Sequence, residues 1–208
     1  MKMKILLVLV AALILVSNIA YAGTYFEQPP RTDVGVGLVS SINAAQASDN
    51  FALSSNSNIT GIEWWGFNYS GTPIFSFTFY KDVNGAPDLS NPTQLSGSLS
   101  AIFAFSVSDN LGGTLDVYNY STTLSTPFAA DANTTYWLSI YNTSSSALWG
   151  WQEAAVSGDG AYQTGSGRTT NNLAFEISGS TTSVPEPSLP VLLGIGILSV
   201  IGLAAWKH

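Results

Sequence analysis

Cysteine is absent from this 208-residue chain, and its one histidine is His208. Without cysteine no disulfide can staple the fold, so stability has to come from a buried core. The two absences together remove the Ser-His-Asp and Cys-His nucleophile pairs from everything ahead of His208. They also remove the usual ligands of zinc, copper and haem. Charge is scarce, at 9% of residues, and lopsided. Between Gly23 and Val184 the only cations are Arg31, Lys81 and Arg168, against twelve acids, a formal net charge of −9. No cationic stripe is available to track phosphates, which argues against nucleic acid as a partner. A helical period is missing from this stretch as well.

What the stretch does have is a period of two. Phe75, Phe77 and Phe79 alternate with Ser76, Thr78 and Tyr80; Tyr136, Leu138 and Ile140 with Trp137, Ser139 and Tyr141; Leu173, Phe175 and Ile177 with Ala174, Glu176 and Ser178. Alternation of this kind is the mark of strands with one buried face. Further strand-like segments are 34–39, 51–53, 59–69, 99–107, 114–123 and 147–152. Turn-rich pieces such as Asp82-Val83-Asn84-Gly85 and Ser157-Gly158-Asp159-Gly160 separate them. The expected fold is all-β, a β-sandwich of jelly-roll-like type over residues 23–178, followed by a Ser/Thr/Gly linker over 179–184.

The two ends have a different character. Lys2 and Lys4, the apolar run Ile5 to Val16, and Ala20-Tyr21-Ala22 have the three-part layout of a removable export signal over residues 1–22. Ser188 to Ala205 is eighteen residues without a charge. As a helix it would reach about 27 Å, against a hydrocarbon core of about 30 Å. Trp206 suits the headgroup zone, and Lys207 sets the expected topology with the C-terminus on the cytoplasmic side. The expectation is one transmembrane helix over 188–205.

Pro185-Glu186-Pro187 directly before that helix and its short basic tail resembles the PEP-CTERM sorting signal. The resemblance implies recognition by exosortase, a membrane transpeptidase, with the membrane holding the chain by its C-terminal helix until that helix is removed. Pro185, Glu186 and Pro187 would be the recognised residues. The family tail usually carries several arginines, where this one has Lys207 and His208. The body is similar to a domain that recurs ahead of such tails. The shared features are Asp49-Asn50-Phe51, Ile59-Thr60-Gly61-Ile62 with Trp64-Trp65-Gly66, and Phe75 to Tyr80. Thr134 to Ile140 and Trp149-Gly150-Trp151-Gln152 complete them. That likeness implies a fold and no chemistry.

Three groups of residues invite a functional reading. Trp64, Trp65, Trp149 and Trp151 could form a platform on which sugar rings stack, or they could be core and rim packing. Trp64 and Trp65, being adjacent, point to opposite faces of a strand, whereas Trp149 and Trp151 share one. Asp82, Asn84 and Asp88 could offer oxygens to calcium, but the glycine and glutamate positions of a helix–loop–helix calcium loop are missing, and an Asx-stabilised hairpin turn explains them equally. Glu63, Glu153 and Glu176 lie in strand-like segments, where two of them could act as a glycosidase pair or simply face solvent. No catalytic residues, metal site or cofactor are expected. The expected role is that of an exported surface or extracellular-matrix protein, structural or adhesive, in the envelope or exopolysaccharide matrix. The alternative is a carbohydrate-binding module, with extracellular polysaccharide as the partner of exposed tryptophans.

Overall fold

A computed structural model describes residues 23–42, 44–109 and 112–181. The export signal at 1–22, the end of the linker and the sorting tail at 185–208 lie outside the described residues. Among the described residues there is no helix, and fourteen strands form two seven-stranded sheets packed face to face. In chain order these are β1 (Gly23–Gln28), β2 (Gly37–Val39), β3 (Ala47–Ala52), β4 (Ser57–Ser70), β5 (Phe75–Val83), β6 (Ala86–Pro87) and β7 (Thr93–Leu95). There follow β8 (Gly97–Ser108), β9 (Thr114–Ala130), β10 (Thr135–Asn142), β11 (Leu148–Gln152), β12 (Tyr162–Gln163), β13 (Gly167–Arg168) and β14 (Phe175–Thr181).

The first sheet is organised around β4, the longest strand but one. Along one edge β4 pairs with β9, and β9 with β8. Along the other it meets β14 over its first half and β11 over its second, with β1 and β2 beyond them. The second sheet runs β13-β12-β3-β10-β5-β6, with β7 also on β5. Every strand pairing is antiparallel. This is a two-sheet all-β sandwich.

The alternating residues close the space between the sheets as their period requires. Phe77, Phe79, Tyr136, Leu138 and Ile140 of the second sheet meet Ile62, Trp64, Tyr120, Phe175 and Ile177 of the first, all buried. Rings dominate the contact: Trp64 stacks on Tyr120 at 5.6 Å, Phe75 meets Trp149 edge-on at 4.9 Å, and Phe79 stacks on Phe128 at 4.2 Å. Such aromatic burial removes more apolar area per residue than any other choice, which suits a domain with no disulfide. A second, smaller cluster of Phe67, Val107 and Val117 occupies the outer face of the first sheet, with Trp65 packed against it. Gly66 is required where the two meet, because a Cβ there would stand 2.5 Å from the Trp149 ring.

One boundary differs from the expectation. Residues 179–181, expected to open the linker, continue β14, where Gly179 pairs with Ile59, Ser180 with Asn58 and Thr181 with Ser57. A register shift between Ser178 and Gly179 keeps the strand on β4, and the Tyr25 hydroxyl donates to the Gly179 carbonyl at 2.7 Å. Backbone pairing with β4, joined at Gly179 by β1, thus overrides the Ser/Thr/Gly composition that suggests a spacer.

Candidate functional site

The tryptophans come first, because their placement decides the sugar-platform reading. Trp64, Trp149 and Trp151 are all fully buried in the inter-sheet core. Trp149 and Trp151 do share a face, with ring centroids 6.2 Å apart, but that face is the inner one. The Trp151 indole N–H donates to the Ala174 carbonyl at 2.8 Å, deep in the sandwich. Trp65 points the other way, as adjacent strand residues must, and is half-buried against the outer cluster. An exposed platform built from these four residues is therefore corrected to core packing: no sugar face can reach three of them, and the fourth stands alone. The physical reason is burial, since indoles in a disulfide-free sandwich contribute most when removed from water.

Asp82, Asn84 and Asp88 form the β5–β6 hairpin and its exit. Asp82 accepts from the Gly85 N–H at 3.1 Å and from the Trp137 indole N–H at 2.8 Å. Asn84 takes a positive φ of 56°, as a turn residue of this type tolerates. Asp88 accepts from the Ser90 hydroxyl at 2.5 Å, from Asn91 Nδ2 at 2.8 Å and from the Ser90 N–H at 3.1 Å; these bonds hold its carboxyl below the usual range. The carboxylate oxygens of Asp82 and Asp88 are thus committed to the turn residues and to the Trp137 indole. Among the described residues no group of three or more His, Cys, Asp or Glu is placed to hold a metal ion.

The glutamates divide. Glu63 and Glu176 sit directly opposite each other on β4 and β14, and Glu27 on β1 extends the row. Glu63 accepts from Asn119 Nδ2 at 2.7 Å and Glu176 from the Thr24 hydroxyl. The two border a shallow trough of about 300 Å3 on the outer face of the first sheet, floored by Gly61 and walled by Ser98, Ser100 and Ser121. Glu153 lies elsewhere, at the end of β11, where Arg31 Nη1 approaches it at 3.5 Å while Nε and Nη2 of the same guanidinium donate to Asp33 at 2.7 and 3.0 Å. Sequence spacing gives no hint that Glu63 and Glu176 would be neighbours, since the pairing depends on the register of strands more than a hundred residues apart.

The one buried acid among the described residues is one that the sequence does not single out as a site. Asp49, on β3, is completely buried on the inner face beside Leu138. One carboxylate oxygen accepts from the Leu173 N–H at 2.6 Å and the other from the Asn50 N–H at 2.8 Å. Burial pushes its carboxyl up to about 7, despite both hydrogen bonds favouring the charged form. Asn50 reaches the other way, donating to Asp159 at 2.7 Å. Arg168 pairs with that same Asp159 carboxylate and lies over the Trp137 ring with its guanidinium carbon 5.4 Å from the centroid. Asp49 thus ties β3 to the segment entering β14, and its neighbour Asn50 ties β3 to Asp159 ahead of β12. Its signal in the sequence is an acid inside an otherwise buried strand-like segment, visible only once the strand is extended back to Ala47.

A family model described as a domain of unknown function (DUF7901) matches residues 24–188. No curated protein matches the chain.

Proposed function

The chain belongs to the DUF7901 family, and we propose that it is an exported structural protein of the cell surface or extracellular matrix. In this reading it is a jelly-roll-type sandwich without catalysis of its own, handed to exosortase through Pro185-Glu186-Pro187 and held at the membrane by 188–205 until processing. The export signal at 1–22 delivers it across the inner membrane.

The observation that carries the reading is that the body between the two processing points is closed on itself: β1, at its N-terminal side, pairs with β14, at its C-terminal side, from Gln28 opposite Phe175 to Gly23 opposite Gly179. Both cuts would leave every described strand whole. The chain alternates between sheets (β3 in the second, β4 in the first, β5 in the second, and again over β9, β10 and β11), which supports the jelly-roll assignment. The committed hydrogen bonds of the carboxylates favour a structural role over a catalytic one.

Mass spectrometry of the native secreted protein tests this directly. The expected product begins at Gly23 and ends near Pro185, and replacing Pro185, Glu186 and Pro187 with alanine should leave the precursor in the membrane fraction. A cytosolic protein retaining both Met1 and His208 would overturn the proposal.

A further inference from the structure

Sheet edges are where a β-sandwich is open to further pairing, and natural edges are usually protected by brevity, charge, proline or a bulge. Most edge strands of this molecule carry such protection. β2 and β7 have three residues each and β6 and β13 two, with Pro87 in β6 and Arg168 in β13. β1 carries Glu27 and a register shift between Thr24 and Phe26. The exception is β8, a twelve-residue strand that among the described residues pairs only with β9. It has no charge and no proline, and its one register shift against β9 falls beyond Phe103. Leu99, Ile102 and Phe103 are 46%, 62% and 57% exposed along it.

We infer that β8 pairs antiparallel with β8 of a second copy, joining two first sheets into one continuous sheet. Two observations select a second copy as the occupant. First, the band is neutral in an acidic molecule: neither 97–105 nor the neighbouring stretch of β9 from Val117 to Ala130 contains an acid or a base. Two domains that repel elsewhere can approach here without placing like charges together. Second, the strand is complementary to its own reverse. With Ala101 on the two-fold axis, Leu99 faces Phe103 of the other copy on one side of the sheet, and Ser100 faces Ile102 on the other. Each apolar side chain left exposed on the single chain thereby gains a cross-strand neighbour. The inference stands apart from export and sorting.

The full chain has no cysteine, so single substitutions report contacts cleanly. In Ala101→Cys the two thiols meet across the axis, and mild oxidation should give a reducible dimer. In Leu99→Cys they lie four residues apart along the strands, about 13 Å, too far to bridge, and cross-linking should fall at least tenfold. Adding Ile102→Lys to Ala101→Cys should abolish the dimer while the circular dichroism stays native. In the unaltered protein, amide protection over 97–103 should rise with concentration. A natively folded Ala101→Cys chain that stays monomeric, or equal cross-linking at 99 and 101, would overturn the inference. So would protection that persists unchanged on dilution, which would mean that the edge is covered within one chain.

Discussion

Asp49 shows how a single side chain can set the response of the whole fold to pH. Its carboxyl is raised to about 7 by burial, well above the ordinary value of 3.8. The native state therefore binds a proton that the unfolded chain has already released between those two values. Stability from this group is greatest below about pH 4, declines as pH rises towards 7, and is flat above. The full effect is on the order of 4 kcal/mol. Asp33, Asp88 and Asp159 have carboxyls held below the usual range and are ionised throughout that window, so they do not mask it. Denaturation midpoints should be higher at pH 4.5 than at pH 7.5, and in Asp49→Asn the difference should vanish. A wild-type midpoint that climbs between the two values would contradict the assignment.

At the scale of elements, segment 29–36 carries a load that its lack of regular structure conceals. It connects β1 to β2 across the outer face of the first sheet, with Gly35 against Val107 and Leu115. Its backbone is pinned by bonds from Gly35 N–H to the Ser108 carbonyl and from Arg31 N–H to the Glu153 carbonyl, each 2.9 Å. The buried Gln152 side chain completes the attachment, donating to the Arg31 carbonyl at 2.7 Å and the Val34 carbonyl at 3.0 Å. Replacing Gln152 with leucine leaves both carbonyls without that donor and should cost about 1–3 kcal/mol. The amides of Arg31 and Gly35 should exchange faster, while those of β10 keep their protection; equal acceleration in both would mean global destabilisation and not release of the strap. Elements of this kind also mark the limit of what the sequence discloses. Of the three alternating segments, 75–80 and 136–141 fall within β5 and β10 as expected, while 173–178 begins two residues ahead of β14. β1, β7 and the last seven residues of β9 lack a clean alternation, and they are strands because neighbours supply the hydrogen bonds. Trp64 and Trp65 are legible as facing opposite ways, but not which way is in. The adjacency of Glu63 and Glu176 depends wholly on register, which local patterning does not encode.

For the whole molecule, the consequence of a shared aromatic core is that neither sheet can come apart alone. Trp64 of the first sheet contacts Phe75 and Phe77 of the second at 5.2 Å each, and Trp149 leans on the same Phe75. Phe51 of β3 reaches across to Phe175 of β14 at 6.4 Å. Separating the sheets would expose all of these rings together, so unfolding should be a single cooperative transition. Tryptophan emission of the processed domain should start blue-shifted and move to the red in step with loss of the β-sheet dichroism; separate midpoints would show that the sheets unfold independently. The same sealed rings predict that a panel of polysaccharides leaves the emission unchanged. Trp65 is the partly accessible ring among the described tryptophans. If a glycan does shift the spectrum, repeating the titration with Trp65→Phe separates a surface contact, which that substitution removes, from an opening of the core, which it does not.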